Sequence, residues 1–330
     1  MADATGLRKI NTELVRGALK DGRVWSKNDL ARETGLSFPT VSRTVDQLME
    51  LGEIQAAGAA ASTGGRCAQR YVRNAQFRVM LCAILSGGKL RFSVYDLSGT
   101  ILEQGDVEPA TDTLSMLDTL ASGVRQQYPQ LGGFSLGLDC AVQDGVVDMD
   151  APYPELRGVD LSKRLLAACG VPCAVEQDVH FAALGCCMQE VEQIVVCIHL
   201  GVSGMQACLV ADGKPFAGAA GFAGALHHLP IKNNLEYARN GFSGADMTAY
   251  YMQVIRAYAA LVNPSRVVLY DNPLLDGRLA RIRHACTQTL PAQIVPEIVC
   301  SQDFDKDYQA GLYRRVCELT EENIHEMLYF

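Results

Sequence analysis

The chain has 330 residues, 48% of them hydrophobic and 20% charged, with a formal net charge of −8. That is an ordinary globular composition, long enough for two or three domains. It excludes a membrane span, because no uninterrupted apolar run approaches the roughly 20 residues a bilayer needs, and no charged-then-apolar signal pattern opens the chain; a cytoplasmic protein with no membrane partner is expected.

The charge is unevenly spread. Residues 1–78 hold 12 Lys and Arg against 8 Asp and Glu, a net of +4, whereas residues 79–330 hold 17 against 29, a net of −12. A basic head on an acidic body suits a head that meets a polyanion, since neutralised phosphates supply much of nonspecific DNA affinity. The twelve cysteines read as reduced thiols used as small apolar residues, given the absence of a signal segment. Cys169 and Cys173 frame a turn and Cys186 adjoins Cys187, yet neither pair has a second Cys or His pair at zinc-finger spacing. No metal and no cofactor are expected.

In chain order, Ile10, Leu14, Val15, Ala18 and Leu19 recur at helical spacing and predict a first helix ending near Gly22. Ser26 to Ile54 then reads as two short helices joined by a tight turn. Ser26 and Asp29 form a variant capping box, Leu30 and Ala31 face inward, and Gly35 supplies the left-handed stop. Ser37 caps the second helix, with Pro39 in its first turn, where an amide would lack an intrahelical partner. Val41, Val45 and Leu48 form its apolar stripe and leave Ser42, Arg43, Thr40, Thr44 and Gln47 on polar faces, with Gly52 as the stop.

This pattern is a helix-turn-helix, and the second helix carries the side chains that pair with base edges and phosphates, Arg with guanine, Gln with adenine, Ser and Thr with either. The expected partner is a double-stranded DNA operator. Residues 54–72, with Gly64-Gly65-Arg66 at the tip, suit a β-hairpin wing. Arg66, Arg70 and Arg73 there read either as contacts to the DNA backbone or minor groove, or as solvated hairpin charges.

From Phe77 the pattern changes. Strands are predicted at Val79–Leu85 and Leu90–Leu97 around a Gly87-Gly88 turn, a helix over Leu114–Gln127, and a strand at Phe134–Leu138. A turn at Asp144-Gly145, a helix from Leu161 to Cys169, a strand at Cys173–Glu176 and a helix at Val179–Met188 follow. Strands Ile194–Leu200 and Met205–Val210, a helix over Met247–Leu261, a final strand Val267–Tyr270 and an amphipathic helix Asp305–Leu328 complete the chain. The class is mixed α/β, and no internal repeat stands out beyond two hairpin-opened halves.

The stretches SKNDLARETGLSFPTVSRTVDQLMELGEI, STGGRCAQRY, FSVYDLSGTI, CAVEQDVHFAALG, GALHH, LEYARNG and ALVNPSRVVLYD together resemble the ROK family of repressors, open reading frames and sugar kinases, and are most similar to its repressor branch. The resemblance implies a winged helix-turn-helix over residues 1–76, followed over 77–330 by an actin/hexokinase-like α/β body of two lobes that assembles as a dimer or tetramer.

It also implies what has been lost. Against the family's phosphate motifs, Ile84 stands at the aspartate, Gly88 at the threonine, Gly201-Val202-Ser203-Gly204-Met205 at the second phosphate loop, and Asp271-Asn272 at the late Gly-Gly. The cysteine-bearing zinc loop is missing between His228 and Glu236. The sugar half is partly kept, with Asp178, His228 and Glu236 at family positions, while Gln177 and Ala225 replace an asparagine and a glutamate. By residue type alone, Asp178 also reads as a helix N-cap and the histidines as loop surface.

The expected function is a non-enzymatic transcriptional regulator, a repressor of carbohydrate metabolism that senses a sugar or sugar derivative. The alternatives are a body that only assembles subunits or binds a protein, and a sugar kinase with a DNA-binding head.

Overall fold

The computed structural model describes residues 4–59, 69–108, 112–188, 193–202, 204–219, 223–234, 242 and 246–329. Two compact units result, one formed by Met1–Val79, Tyr95–Leu102 and Glu322–Phe330, the other by Met80–Val94 and Glu103–Glu321.

In the first unit, α1 (Ala4–Leu19), α2 (Lys27–Thr34) and α3 (Phe38–Glu50) pack with a three-stranded antiparallel sheet of β1 (Trp25–Ser26), β2 (Ile54–Ala59) and β3 (Gln69–Arg73), in the order β1-β3-β2. The local signals act as read. The Ser26 hydroxyl accepts from the Asp29 amide and Asp29 accepts from the Ser26 amide, so the first turn of α2 satisfies its own donors. Gly35 ends α2 at φ 68°, and Ser37 caps α3 through the Thr40 amide. Val15, Leu19, Trp25, Leu30, Val41, Val45, Leu48, Ile54 and Tyr71 form the core.

Three assignments are corrected here. Thr44 is buried, because it lies three residues after Val41 and four before Leu48, on the apolar stripe itself. Ile10 and Leu14 are exposed, so α1 presents a narrower inner stripe than expected. Trp25–Ser26 adds a strand that the sequence reading lacked, while residues 60–68, with Arg66, lie outside the described residues. Arg16 of α1 is gripped by both oxygens of Glu53, at 2.8 and 2.6 Å. Burial opposes its charge, but the Glu53 contacts outweigh burial and raise its pKa.

The second unit is built mainly on two sheets of five strands. In one, β4 (Val79–Ser86), β5 (Lys89–Asp96), β6 (Ile101–Asp106), β7 (Leu131–Leu138) and β10 (Cys173–Gln177) take the order β10-β7-β4-β5-β6. A small hairpin of β8 (Val142–Gln143) and β9 (Val146–Val147) turns at Asp144-Gly145, both at positive φ. In the second sheet, β11 (Val195–Gly201), β12 (Gly204–Ala211), β13 (Lys214–Phe216), β14 (Arg266–Tyr270) and β15 (Glu297–Ser301) take the order β13-β12-β11-β14-β15. Each sheet therefore runs third-second-first-fourth-fifth in its own chain order. The repeat extends to the helices: α4 (Thr113–Gln127), α5 (Leu161–Cys169) and α6 (Asp178–Cys186) follow the third, fourth and fifth strands of one sheet. In the other, α7 (Met247–Val262), α8 (Leu279–Thr289) and α9 (Phe304–Tyr329) do the same.

A duplicated α/β lobe is thus present, with β6, α8 and β15 among the elements missing from the sequence reading. Leu312 and Val316 of α9 are buried and Leu319 half-buried, as its pattern predicted; the Ile324 side chain lies outside the described residues. Helix α6 packs on β10, β11 and β12. It also crosses α9 at two glycines: a Cβ on Gly185 would stand 1.9 Å from the Asp307 carbonyl, and one on Gly311 would stand 1.8 Å from the Phe181 carbonyl.

Two stability predictions follow from these contacts. Gly311→Ala must push the helices apart and should cost about 3 kcal/mol, the upper part of the usual overpacking range, read by denaturant unfolding of the full chain. Glu53→Gln keeps one acceptor but leaves Arg16 with the exposed Glu13 as its remaining charge partner, and should cost about 3 kcal/mol, the low edge for a buried pair. A midpoint unchanged in either variant would remove that contact from the account.

Candidate functional sites

The outer face of α3 is built by its caps. Ser37 is exposed and its hydroxyl lies 2.8 Å from that of Thr40. Arg43 is exposed, Ser42 half-buried and Gln47 half-buried. Lys27 of α2 donates to Ser42 at 3.0 Å and to Asp46 at 2.6 Å, so the Asp46 charge is neutralised in place. Arg8 of α1 donates to the Gln47 carbonyl oxygen at 2.9 Å. Arg8, Phe38, Pro39, Ser42, Arg43, Asp46, Gln47 and Glu50 line one open groove. Arg8 was missed in the sequence because nothing in its spacing shows that α1 passes beside Gln47. Arg70 is exposed near the start of β3. Polar groups of both charges, with Phe38 and Pro39, thus line the groove on α3, and Thr44 is absent from it.

The second candidate site lies where β7 and β10 end, the strand ends at which α/β sheets place ligands. Asp178 opens α6 and is buried; its Oδ1 accepts from the Val179 amide at 2.6 Å, while the N-cap position belongs to Gln177. The helix-cap alternative for Asp178 is thereby corrected by one residue. Burial raises the Asp178 pKa from 3.8 to about 7; the Val179 hydrogen bond opposes this and the Asp139 charge adds to it. Asp139, also buried, accepts from the Tyr153 hydroxyl at 2.8 Å and from the Gly87 amide at 2.9 Å. Burial, with Asp139 next in effect, pushes the Cys140 thiol up to about 12.

Tyr308, beneath Gly137, is fully buried, and among the described residues its hydroxyl has no hydrogen-bond partner. Gly201 closes this region: a Cβ there would stand 3.4 Å from Asp178 Oδ2 and 3.6 Å from His199 Nε2. His199 stacks on Phe304 with ring centroids 3.6 Å apart, and burial lowers its pKa to about 4. It is therefore neutral near pH 7. Asp139, Tyr153 and His199 were missed; the signal for Asp139 was a carboxylate directly after the predicted strand Phe134–Leu138.

His228 ends a single 3-10 turn, Leu226–His228. The buried Asn234 fixes that turn, donating to the Leu226 and Leu229 carbonyls at 2.6 and 3.0 Å and accepting from the Tyr250 hydroxyl. His228 is exposed and lines an apolar cavity of about 300 Å³ with Leu209, Phe216, Tyr258 and Leu261. Asp178 is instead grouped with Asp139, Gly201 and His199. Burial and then His228 lower the His227 pKa, against the charges of Asp148 and Asp150. Glu236 lies outside the described residues, as does Ser203. Gln177, which stands at the family's asparagine, donates its amide to Gln206.

The positions compared with phosphate loops have taken structural work. Ile84 lies within β4, and Gly88 sits in its turn at φ 76°. The Asn272 amide donates to the Tyr251 hydroxyl at 3.2 Å and the Tyr270 carbonyl at 2.9 Å, while its oxygen accepts from Leu274. The cysteines also depart from expectation: the Cys186, Cys187 and Cys197 sulfurs lie within 4.8 Å of one another, since β11 brings Cys197 to the end of α6.

Two lobes of one topology, with polar groups at the strand ends, define the actin/hexokinase-like α/β class. The ROK family profile matches residues 81–245, and the chain belongs to the ROK family. A xylose repressor from Caldicellulosiruptor bescii is 25% identical over 245 residues, 70% of this chain and 61% of the repressor. The chain thus spans less than two thirds of that relative's length.

Among solved structures, a ROK family transcriptional regulator described as a homolog of the E. coli MLC protein superposes with a TM-score of 0.68, at 17% identity and 98% coverage of both chains. A ROK hexokinase from Thermus thermophilus superposes at 0.56 and 17% identity, over 72% of this chain and 98% of its own. The same fold therefore serves proteins named as regulators and as kinases. No helix among the described residues is long and apolar enough to cross a membrane.

The Asp178 environment predicts a pH effect. A folded pKa of about 7 against an ordinary 3.8 means that this carboxyl's contribution is fully present below 3.8 and is lost as pH rises through 7. Asp178→Asn should flatten that part of the stability profile, seen as a difference from wild type in Tm across pH 4–8. Parallel profiles would contradict the assignment.

Proposed function

We propose that the chain is a DNA-binding transcriptional regulator, a repressor of carbohydrate metabolism, in which residues 1–76 form a winged helix-turn-helix and residues 77–330 form a sugar-sensing body without catalysis. The observation that carries the reading is the capped α3 with Arg43, Ser42, Gln47 and Arg8 on one open face of the basic segment. An α-helix with such side chains fits the major groove, with Arg43 and Gln47 toward bases and Ser37 and Thr40 toward phosphates. Arg70, with Arg66, adds charge toward the DNA backbone or minor groove. The location is cytoplasmic and the partner an operator duplex bound by a dimer or tetramer, as half-site recognition requires. The name of the xylose repressor supports a sugar as effector.

Within the body, Asp178, beside Gly201 and His199, is the group for a polyol through charge-assisted hydrogen bonds, while His228, which lines a separate apolar cavity, and Glu236 enter the reading by family position alone. Phosphoryl transfer needs phosphates cradled by backbone amides and metal in addition to a base. Asn272, tied to Tyr251 and Tyr270, and Ile84 in β4 support loss of that half. An effector then acts only through its different affinity for the DNA-competent and incompetent conformations. A second reading, a body that only assembles subunits or binds a protein, is favoured by one observation: the Gln177 amide is engaged by Gln206 rather than open to a ligand.

Arg43→Ala should weaken operator binding by about 1–3 kcal/mol if Arg43 reads a base, measured by fluorescence anisotropy at fixed salt; an unchanged affinity removes it. Titration calorimetry with a sugar and sugar-phosphate panel on wild type and Asp178→Ala tests the sensor. Binding abolished by the variant supports it, no binding favours the second reading, and sugar-dependent ATP turnover would overturn the claim of no catalysis.

A further inference from the structure

The cysteines at the end of α6 serve none of the roles above. Cys186 is the last helical residue and Cys187 its C-cap, whose amide reaches the Ala183 and Gly185 carbonyls. Cys197 lies in β11, and its antiparallel partner across the ladder is Cys208 of β12. Three sulfurs from a helix end and a strand lie within 4.8 Å of one another. Cys187 and Cys197 are fully buried, and Cys186 is half-buried.

Apolar packing alone would account for one buried thiol, a small hydrophobe with a weak S–H donor. Three converging thiols have more to offer. Tetrahedral thiolate coordination at a metal–sulfur distance of about 2.3 Å places sulfurs about 3.8 Å apart, so contraction by about 1 Å closes the set. That is the scale of a side-chain adjustment. Eight residues of helix, about 12 Å of rise, separate Cys186 from Asp178.

We propose that Cys186, Cys187 and Cys197 form a three-thiolate site for a thiophilic d10 metal ion, of the class of Zn(II) or Cu(I). On binding, each S–H bond breaks, its proton passes to solvent, and the sulfur lone pair forms the bond to the metal; no electron is transferred. Soft sulfur ligands select such ions over Mg(II) or Ca(II). The ion ties the end of α6 to the second sheet.

The test uses the full chain, reduced and kept anaerobic, titrated in one arm with Cd(II) as the spectroscopic counterpart of Zn(II) and in the other with Cu(I). One equivalent should bind in at least one arm, with an ultraviolet thiolate-to-metal charge-transfer band, and the arm that responds at the lower concentration names the ion. Cys197→Ser should weaken binding roughly 100-fold or more, beyond what loss of an outer-shell partner costs, while Cys300→Ser, at an exposed position, leaves it unchanged. Should Cys197→Ser fail to fold by circular dichroism, Cys186→Ser at the half-buried position decides. No charge-transfer band in either arm, or a band that persists unchanged in the cluster variants, overturns the site.

Discussion

The close crossing of α6 and α9 is the constraint on which the body depends. Backbone meets backbone there because Gly185 and Gly311 lack side chains, and either Cβ would fall under 2 Å from a carbonyl oxygen. The crossing fixes α6 as a rigid rod against β10, β11 and β12. At one end of that rod Asp178 is buried within reach of the Asp139 charge; at the other, Cys186 and Cys187 are delivered to Cys197. A helix placed this firmly transmits displacement rather than absorbing it, since packed interiors are close to incompressible.

The first unit rests on different physics. Its helices are short, 8 and 13 residues for α2 and α3, and helices of that length are marginal alone, so caps and a common core must hold them. Ser26 with Asp29, Ser37 with Thr40, and the Arg16–Glu53 grip do this without engaging Arg43. Arg43 is therefore left exposed for a partner, and Lys27 quiets the acid at Asp46. The face of α3 with Arg43, Ser42 and Gln47 is thus backed by a capped, packed helix.

Local signals were legible in the sequence and nonlocal ones were not. The capping box at Ser26, the left-handed stop at Gly35 and the turn at Asp144-Gly145 each depend on residues within four positions of one another. Thr44 was legible in principle, since its offsets from Val41 and Leu48 place it inward, but its polar character misled. Helix α8 and strand β15 were missed, and with them the exact repetition of strand order that makes the second sheet a copy of the first. Asp139 with Tyr153, Arg8 beside Gln47, and Cys197 beside Cys186 join residues 14, 39 and 11 positions apart. Only the folded chain brings these together, so composition and spacing were silent on them. Family resemblance supplied Asp178, His228 and Glu236, but not that burial would hold the Asp178 carboxyl near neutrality.

The proposal joins a DNA-reading head to a body of the ROK family, in which Asn272, at a position compared with the phosphate loops, serves structural hydrogen bonds. Its central claim is that one chain both selects a DNA sequence and loses that grip when a sugar binds. Selection of the full chain on a random duplex library, followed by anisotropy of the enriched duplex with and without a sugar panel, tests it most directly. The account predicts a defined sequence, bound at least roughly 1,000-fold tighter than random duplex at physiological salt, with affinity reduced by one class of sugar. Failure to enrich any sequence over random duplex would contradict it.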